Sequence, residues 1–193
     1  MERKITREQF IETSLQLFQS RGFKATTMRD IAKALDIEAA TLYNYIQSKQ
    51  SLLDELIFEI ANQFHRGLSN IYESSYDPVD QLKAIIDLNV RLTAEHPYQV
   101  ALLVGEWKHL KTERQAEFLA HRAGYERMVQ GIIKKGMEVG QLRKMNLEIA
   151  TYSFLSAIRW LFSWYIIQTE RPNPVELEKQ LSDFILKGMQ GLE

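Results

Sequence analysis

Apolar residues recur along this chain at three- and four-residue spacing and almost nowhere in strict alternation, so the pattern predicts helices and no sheet. In the first helix, Phe10 with Leu17 and Ile11 with Leu15 and Phe18 form the apolar rows, Thr6 with Gln9 makes a capping box, and Gly22 ends it. Thr27 with Asp30 caps a second helix to about Leu35, and a third runs from about Glu38 to Ile46. Ser48 opens a long fourth helix to about Glu73, in which Leu52, Leu56, Ile60 and Phe64 repeat every fourth position. Asp77-Pro78 starts the fifth, to about Glu95, and Pro97 restarts the chain to about Leu110. Thr112 with Gln115 reads as a capping box for a seventh helix ending near Gly140. Asn146 begins an eighth, expected to run unbroken to about Thr169, and Asn173-Pro174 begins the last. About nine helices with short connections make an all-α fold.

The densest local information lies between Thr26 and Leu53. Ile31 and Leu35 give the second helix one apolar side, the chain turns at Asp36 and Ile37, and Leu42 and Ile46 face the third helix inward. Ala39, Ala40, Thr41, Tyr43, Asn44 and Tyr45 are then expected mostly outward. Small alanines allow close approach to a groove wall, hydroxyls bond phosphate oxygens, and an asparagine can pair with adenine in the major groove. Basic residues stand where phosphates dock: Arg3, Lys4 and Arg7 precede the first helix, and Arg29 and Lys49 lie near helix N-termini. The layout is that of a helix-turn-helix whose second helix enters a DNA groove, with Lys4, Thr27, Arg29 and Lys49 as further DNA contacts.

At this point the chain resembles the tetracycline-repressor (TetR) family of bacterial transcription regulators. The matching positions are Gly22-Phe23, Thr27, Ile31-Ala32, Thr41-Leu42-Tyr43, Tyr45, Ser48-Lys49 and Leu52, within about the first 60 residues. The resemblance implies an N-terminal DNA-binding domain over residues 1 to 50 and a ligand-binding and dimerisation domain over 51 to 193. It implies a homodimer that pairs through its last two helices, a double-stranded operator of pseudo-palindromic sequence, and a small-molecule effector. Three positions depart from the family pattern: Asp36 replaces the turn glycine, Glu38 a small hydroxyl residue, and Gln47 a proline.

Composition narrows the remaining classes. The 193 residues are 45% hydrophobic, as in ordinary globular proteins. Residues 1 to 50 hold eight Lys or Arg against six Asp or Glu, while residues 51 to 193 hold sixteen against nineteen, a small asymmetry that favours the N-terminal part for nucleic acid. No cysteine removes disulfides, thiolate metal sites and cysteine nucleophiles. The charged N-terminus shows no signal peptide, and the greasiest window, Phe154 to Ile167, contains Arg159 and is too short to span a bilayer, so a cytoplasmic protein without a membrane partner is expected. His65, His96, His109 and His121 are scattered, with no metal-binding pair, phosphate loop or nucleophile elbow, so no catalytic site, metal or cofactor is expected.

The eighth helix is apolar on nearly every side, with Phe154, Ala157, Trp160, Leu161, Phe162, Trp164 and Tyr165. Such a helix must be covered nearly all round, and a second subunit is the simplest cover. With Leu177, Leu181, Phe184 and Ile185 of the last helix, Phe154, Ala157, Leu161 and Trp164 are expected to form a four-helix bundle across a dimer axis.

A mainly apolar effector pocket is expected from Tyr98, Leu102, Leu103, Glu106 and Trp107 on one helix, Leu119, Arg122, Tyr125, Met128 and Val129 on another, and Arg159, Trp160 and Trp164 on a third. Arg122 or Arg159 would meet an anionic end. The run from Arg122 to Tyr125-Glu126, the Gly140 stop and the Arg159-Trp160 to Trp164-Tyr165 pattern are similar to the branch of the family that senses acyl-coenzyme A thioesters. Two rival readings remain at this level: a helical interaction module that does not bind DNA specifically, and a regulator whose effector is a drug-like cation.

Overall fold

The computed structural model describes residues 5–170 and 172–190, and all regular structure among them is helical. The ten α-helices are α1 (Arg7–Arg21), α2 (Met28–Leu35), α3 (Ala39–Leu42), α4 (Lys49–Tyr72), α5 (Pro78–Glu95), α6 (Pro97–Gly105), α7 (Thr112–Glu138), α8 (Leu147–Arg159), α9 (Leu161–Ile167) and α10 (Pro174–Met189), with a 3-10 turn at Trp107–His109.

The chain forms two compact units. Their division differs from a boundary after residue 50: the first unit comprises residues 1–60 together with 98–118, and the second comprises 61–97 with 119–193. The returning segment joins the first unit because Leu102, Leu110 and Phe118 are buried in the same cluster as Phe10, Ile31, Leu42 and Leu56, contacts 46 or more positions apart in sequence that no local pattern carries.

In the first unit the expected caps form. Thr6 accepts from the Gln9 N–H while Gln9 accepts from the Thr6 N–H, and Gly22 closes α1 at φ 83°, where a side chain would be strained. Thr27 and Asp30 repeat the reciprocal arrangement at α2. Asp36 takes the left-handed conformation, φ 56° and ψ 48°, that the family's usual glycine would take, and the Ile37 N–H then reaches back to the Ala32 carbonyl. The third helix is shorter than the predicted Glu38-to-Ile46 run. Glu38 makes no side-chain cap, and after Leu42 the ladder tightens to i→i+3 bonds, Asn44 N–H to Thr41 and Tyr45 N–H to Leu42.

The second unit is built round α5, whose Leu82, Ile85, Ile86 and Val90 are buried among Val129, Ile132 and Ile133 of α7, Phe154 and Ile158 of α8, Leu161 of α9, and Leu181, Ile185 and Met189 of α10. Gly67 of α4 permits a close crossing, since a Cβ there would come within 2.5 Å of Leu88. The eighth predicted helix is in fact two. The Trp160 indole N–H donates to the Ala157 carbonyl at 2.7 Å, occupying the acceptor the Leu161 amide would use, and the axis breaks between α8 and α9. The sixth predicted helix also stops early, at Gly105. The expected Thr112–Gln115 capping box is replaced by a different device: α7 begins at Thr112 itself, and the Gln115 amide donates to the carbonyls of Lys108 and Leu110.

Candidate DNA-binding, pairing and ligand-binding sites

The residues expected to contact DNA are spread over α2, α3 and the turn after it. Leu42 is the buried residue of α3, so the opposite side faces out: Ala40, Tyr43 and Asn44 are exposed and Thr41 is half-buried. Arg29 is exposed in the first turn of α2. The Thr27 hydroxyl at 2.5 Å and the Thr27 backbone N–H at 2.8 Å both donate to the Asp30 carboxylate, and these bonds hold it below the usual carboxylate range. Ala39 packs half-buried against the core instead of facing out.

Two more of the expected DNA contacts are placed otherwise. The Tyr45 hydroxyl donates to the Ile5 carbonyl at 2.7 Å and its ring lies 5.9 Å from that of Phe10, so Tyr45 braces α1 rather than facing outward. The Lys49 ammonium is turned inward on the loop before α2, donating to the carbonyls of Thr26 at 2.6 Å and Phe23 at 2.7 Å. Lys4 lies outside the described residues.

The residues expected to pair subunits divide into two sets. Phe154, Leu161, Leu181 and Ile185 are buried in their own core, because they lie on the sides of α8, α9 and α10 turned toward α5, and this corrects their assignment to an intersubunit surface. Ala157 and Leu177 pack half-buried against that core, and Trp164 is half-buried with its ring edge-on to Trp160 and Tyr165. Phe184 projects from α10 at 81% exposure. Ile149 and Tyr152, which the sequence reading does not single out, are exposed on the outer side of α8, one turn apart and opposite Phe154 and Ile158.

The expected pocket residues also separate. Leu102 is buried in the first unit's core, and Tyr98, Leu103 and Trp107 pack against it, Trp107 stacking on Phe118 at 5.6 Å. Glu106 lies 3.3 Å from the His109 Nε2. In the second unit Val129 is buried, Tyr125 and Met128 pack beside it, and Leu119 is exposed. The Arg122 Nε donates to Glu126 at 2.9 Å, an i,i+4 pair that already engages its guanidinium, while Arg159 and Trp160 are exposed. An open groove of about 230 Å³ runs between α7 and α8, lined by Ala123, Glu126, Arg127, Gln130, Glu148, Thr151 and Tyr152; its lining is polar, unlike the expected pocket.

Residues 75–189 match the family described as tetracyclin repressor-like, C-terminal domain, and residues 10–56 match bacterial regulatory proteins of the tetR family. The chain belongs to the TetR family. It is 26% identical over 162 residues to the HTH-type transcriptional repressor KstR2 of Mycobacterium tuberculosis, covering 82% of this chain and 80% of that one. The solved structure of that ketosteroid transcriptional regulator superimposes with a TM-score of 0.89 over 98% of each chain at 21% identity. The structure of AibR in complex with isovaleryl coenzyme A and operator DNA superimposes with a TM-score of 0.77 at 24% identity, over 95% of this chain and 97% of that one.

As a TetR-family body, the second unit is notable for polar groups set in its apolar interior. The Asn89 amide donates to the Ile85 carbonyl at 2.8 Å and to the Tyr125 hydroxyl at 3.3 Å. Burial pushes the Tyr125 hydroxyl up to about 12, and the Asn89 bond lowers it only in part. The folded chain therefore keeps Tyr125 neutral after an unfolded one begins to ionise near 10. That stabilisation is fully present below pH 10 and is lost as pH rises toward 12, an effect on the order of 2 kcal/mol. Urea midpoints followed from pH 9.5 to 12 are expected to fall more steeply in the wild type than in Tyr125→Phe; parallel curves would contradict the assignment.

Proposed function

We propose that the protein is a homodimeric repressor that binds a pseudo-palindromic operator and is released from it by a small apolar effector carrying an anionic end, such as a fatty acid or an acyl-coenzyme A thioester. The observation that carries the DNA half is the outer side of α3 and of the turn after it: Ala40, Tyr43 and Asn44 stand exposed, as does Arg29 on α2, while Leu42 anchors the helix from behind. Two such helices related by a dimer axis enter successive major grooves roughly one helical turn apart. Arg29 and Tyr43 hold phosphates, and Thr41 and Asn44 face base edges.

Each predicted contact has its own signature in a salt titration of operator binding. Arg29→Ala weakens all duplexes alike and flattens the slope of log K against log salt by about 0.9. Asn44→Ala costs about 1 to 3 kcal/mol on the preferred site and relaxes preference at one base pair, leaving the slope unchanged. A slope unaltered in Arg29→Ala overturns the phosphate assignment.

The effector half is supported by Tyr125, Met128 and Val129 of α7, an apolar wall holding a buried hydroxyl, with Arg122 one turn before it. Binding an acid there requires Arg122 to exchange Glu126 for the ligand, or Arg159 to supply the charge. The relatives support the class: AibR is solved with isovaleryl coenzyme A and operator DNA, and KstR2 is a ketosteroid regulator. A preference of 2 to 3 kcal/mol between the two conformers weakens operator binding about 30- to 150-fold. Titration of acyl-coenzyme A thioesters and free fatty acids into the operator complex tests this. Release that grows with chain length and is lost in the Arg122→Ala, Arg159→Ala double variant supports it; release by organic cations alone overturns it.

A further inference from the structure

Phe23 follows Gly22 in the loop between α1 and α2 and is buried. The Lys49 ammonium lies over its ring, 4.4 Å from the centroid, and His109 stacks on it at 6.0 Å with 20° between the planes. The same ammonium donates to the carbonyls of Thr26 at 2.6 Å, Phe23 at 2.7 Å and, at longer range, Lys24 at 3.4 Å. An ammonium has three N–H donors, and three carbonyls of one loop take them. Thr26 is itself fixed, its hydroxyl donating to the Gly22 carbonyl at 2.9 Å and the Leu17 carbonyl at 3.3 Å, and Thr27 beside it is the cap of α2. Gln50, next along α4, donates to the His109 carbonyl at 3.0 Å, which brings the Trp107–His109 turn to the same place.

We propose that Lys49 is a positioning residue for DNA recognition and not a phosphate ligand: it fastens the Phe23–Thr26 loop to the first turn of α4 and thereby sets where α2 and the recognition helix stand. The inference rests on the DNA-binding reading above. Its physical basis is a competition. To reach a phosphate the ammonium must leave two close carbonyl bonds and an aromatic face, stranding the Phe23 and Thr26 carbonyls in a half-buried place. The site is also specific for an ammonium. A guanidinium is a planar fork that serves a phosphate as well as a lysine does, but it does not converge on three carbonyls beneath a ring.

Lys49→Arg and Lys49→Met, with Arg29→Ala as the phosphate control, are measured by fluorescence anisotropy on an operator duplex and a scrambled duplex between 50 and 200 mM salt. Circular dichroism at the assay temperature checks that each is folded. Both Lys49 variants are expected to lose at least about tenfold in operator affinity while keeping the wild-type salt slope. Scrambled-duplex affinity is expected to change little, so the specificity ratio falls, which general destabilisation would not produce. Lys49→Arg retains the charge and carries the test if Lys49→Met does not fold. A slope reduced by about one in Lys49→Met together with full activity in Lys49→Arg overturns the inference and restores the phosphate contact. If the wild-type chain discriminates between no duplexes, the DNA-binding reading fails and this inference falls with it; if wild type and Lys49→Arg discriminate equally, this inference alone falls.

Discussion

Phe184→Glu is expected to convert the protein into a folded monomer that has lost about 10²- to 10⁴-fold in operator affinity. Phe184 stands 81% exposed on the outer side of α10 while Leu181, Ile185 and Leu186 fill the inner side, so the substitution removes nothing from the chain's own core. Leu177, two turns earlier, is half-buried at the edge of that outer side, and Ile149 and Tyr152 give α8 an apolar outer surface as well. Together these form a surface a partner subunit would cover. A carboxylate buried there without a partner opposes pairing strongly. Once the subunits separate, the second recognition helix no longer binds at the effective concentration set by the first, which is where the affinity loss comes from. Sedimentation at micromolar concentration and operator titration measure the two effects together. A variant that remains dimeric with full affinity, or a wild type that sediments as a monomer, contradicts the proposed bundle. Leu181→Glu makes the contrast: Leu181 is buried against α5, so that change unfolds the body itself.

Those neighbouring residues also show how far the sequence could be read. Leu181 and Phe184 are both apolar at helical spacing, and periodicity marks them equally; only packing on α5 makes one core and the other surface. Most features decided within four residues were legible, namely the Thr6 and Thr27 capping boxes, the Asn146 cap and the Asn173-Pro174 start of α10; the Thr112–Gln115 box was not, because the Gln115 side chain bonds the Lys108 and Leu110 carbonyls instead. Features decided by remote partners were not. Lys49 turns to carbonyls 23 to 26 positions away, and Tyr45 reaches the Ile5 carbonyl across 40. In the α8–α9 break, the competing bond is local, Trp160 to Ala157, but the side-chain orientation that makes it is not a property of the apolar pattern. The recognition segment mixed both kinds, its motif readable and its shortness not, since nothing local caps Glu38.

That shortness makes Leu42 the position where one substitution is expected to silence the head. A four-residue helix has no stability of its own in water, and α3 is held by Leu42, its one buried residue, which is fully enclosed among Ile31, Leu35 and the start of α4 in the first unit's cluster. Leu42→Ala removes that anchor and leaves a cavity, a loss of about 2 to 5 kcal/mol. That is a large share of the roughly 5 to 15 kcal/mol that holds a domain together, so α3 and the turn after it are expected to detach and operator affinity to fall beyond about 100-fold. The proposed pairing residues all belong to the second unit, so sedimentation of Leu42→Ala is expected to match the wild type. Tyr43→Ala, one position on and 58% exposed, provides the comparison: the melting temperature stays where it was while DNA binding weakens. Leu42→Ala that melts like the wild type and still binds operator would mean that α3 is held by something other than this side chain.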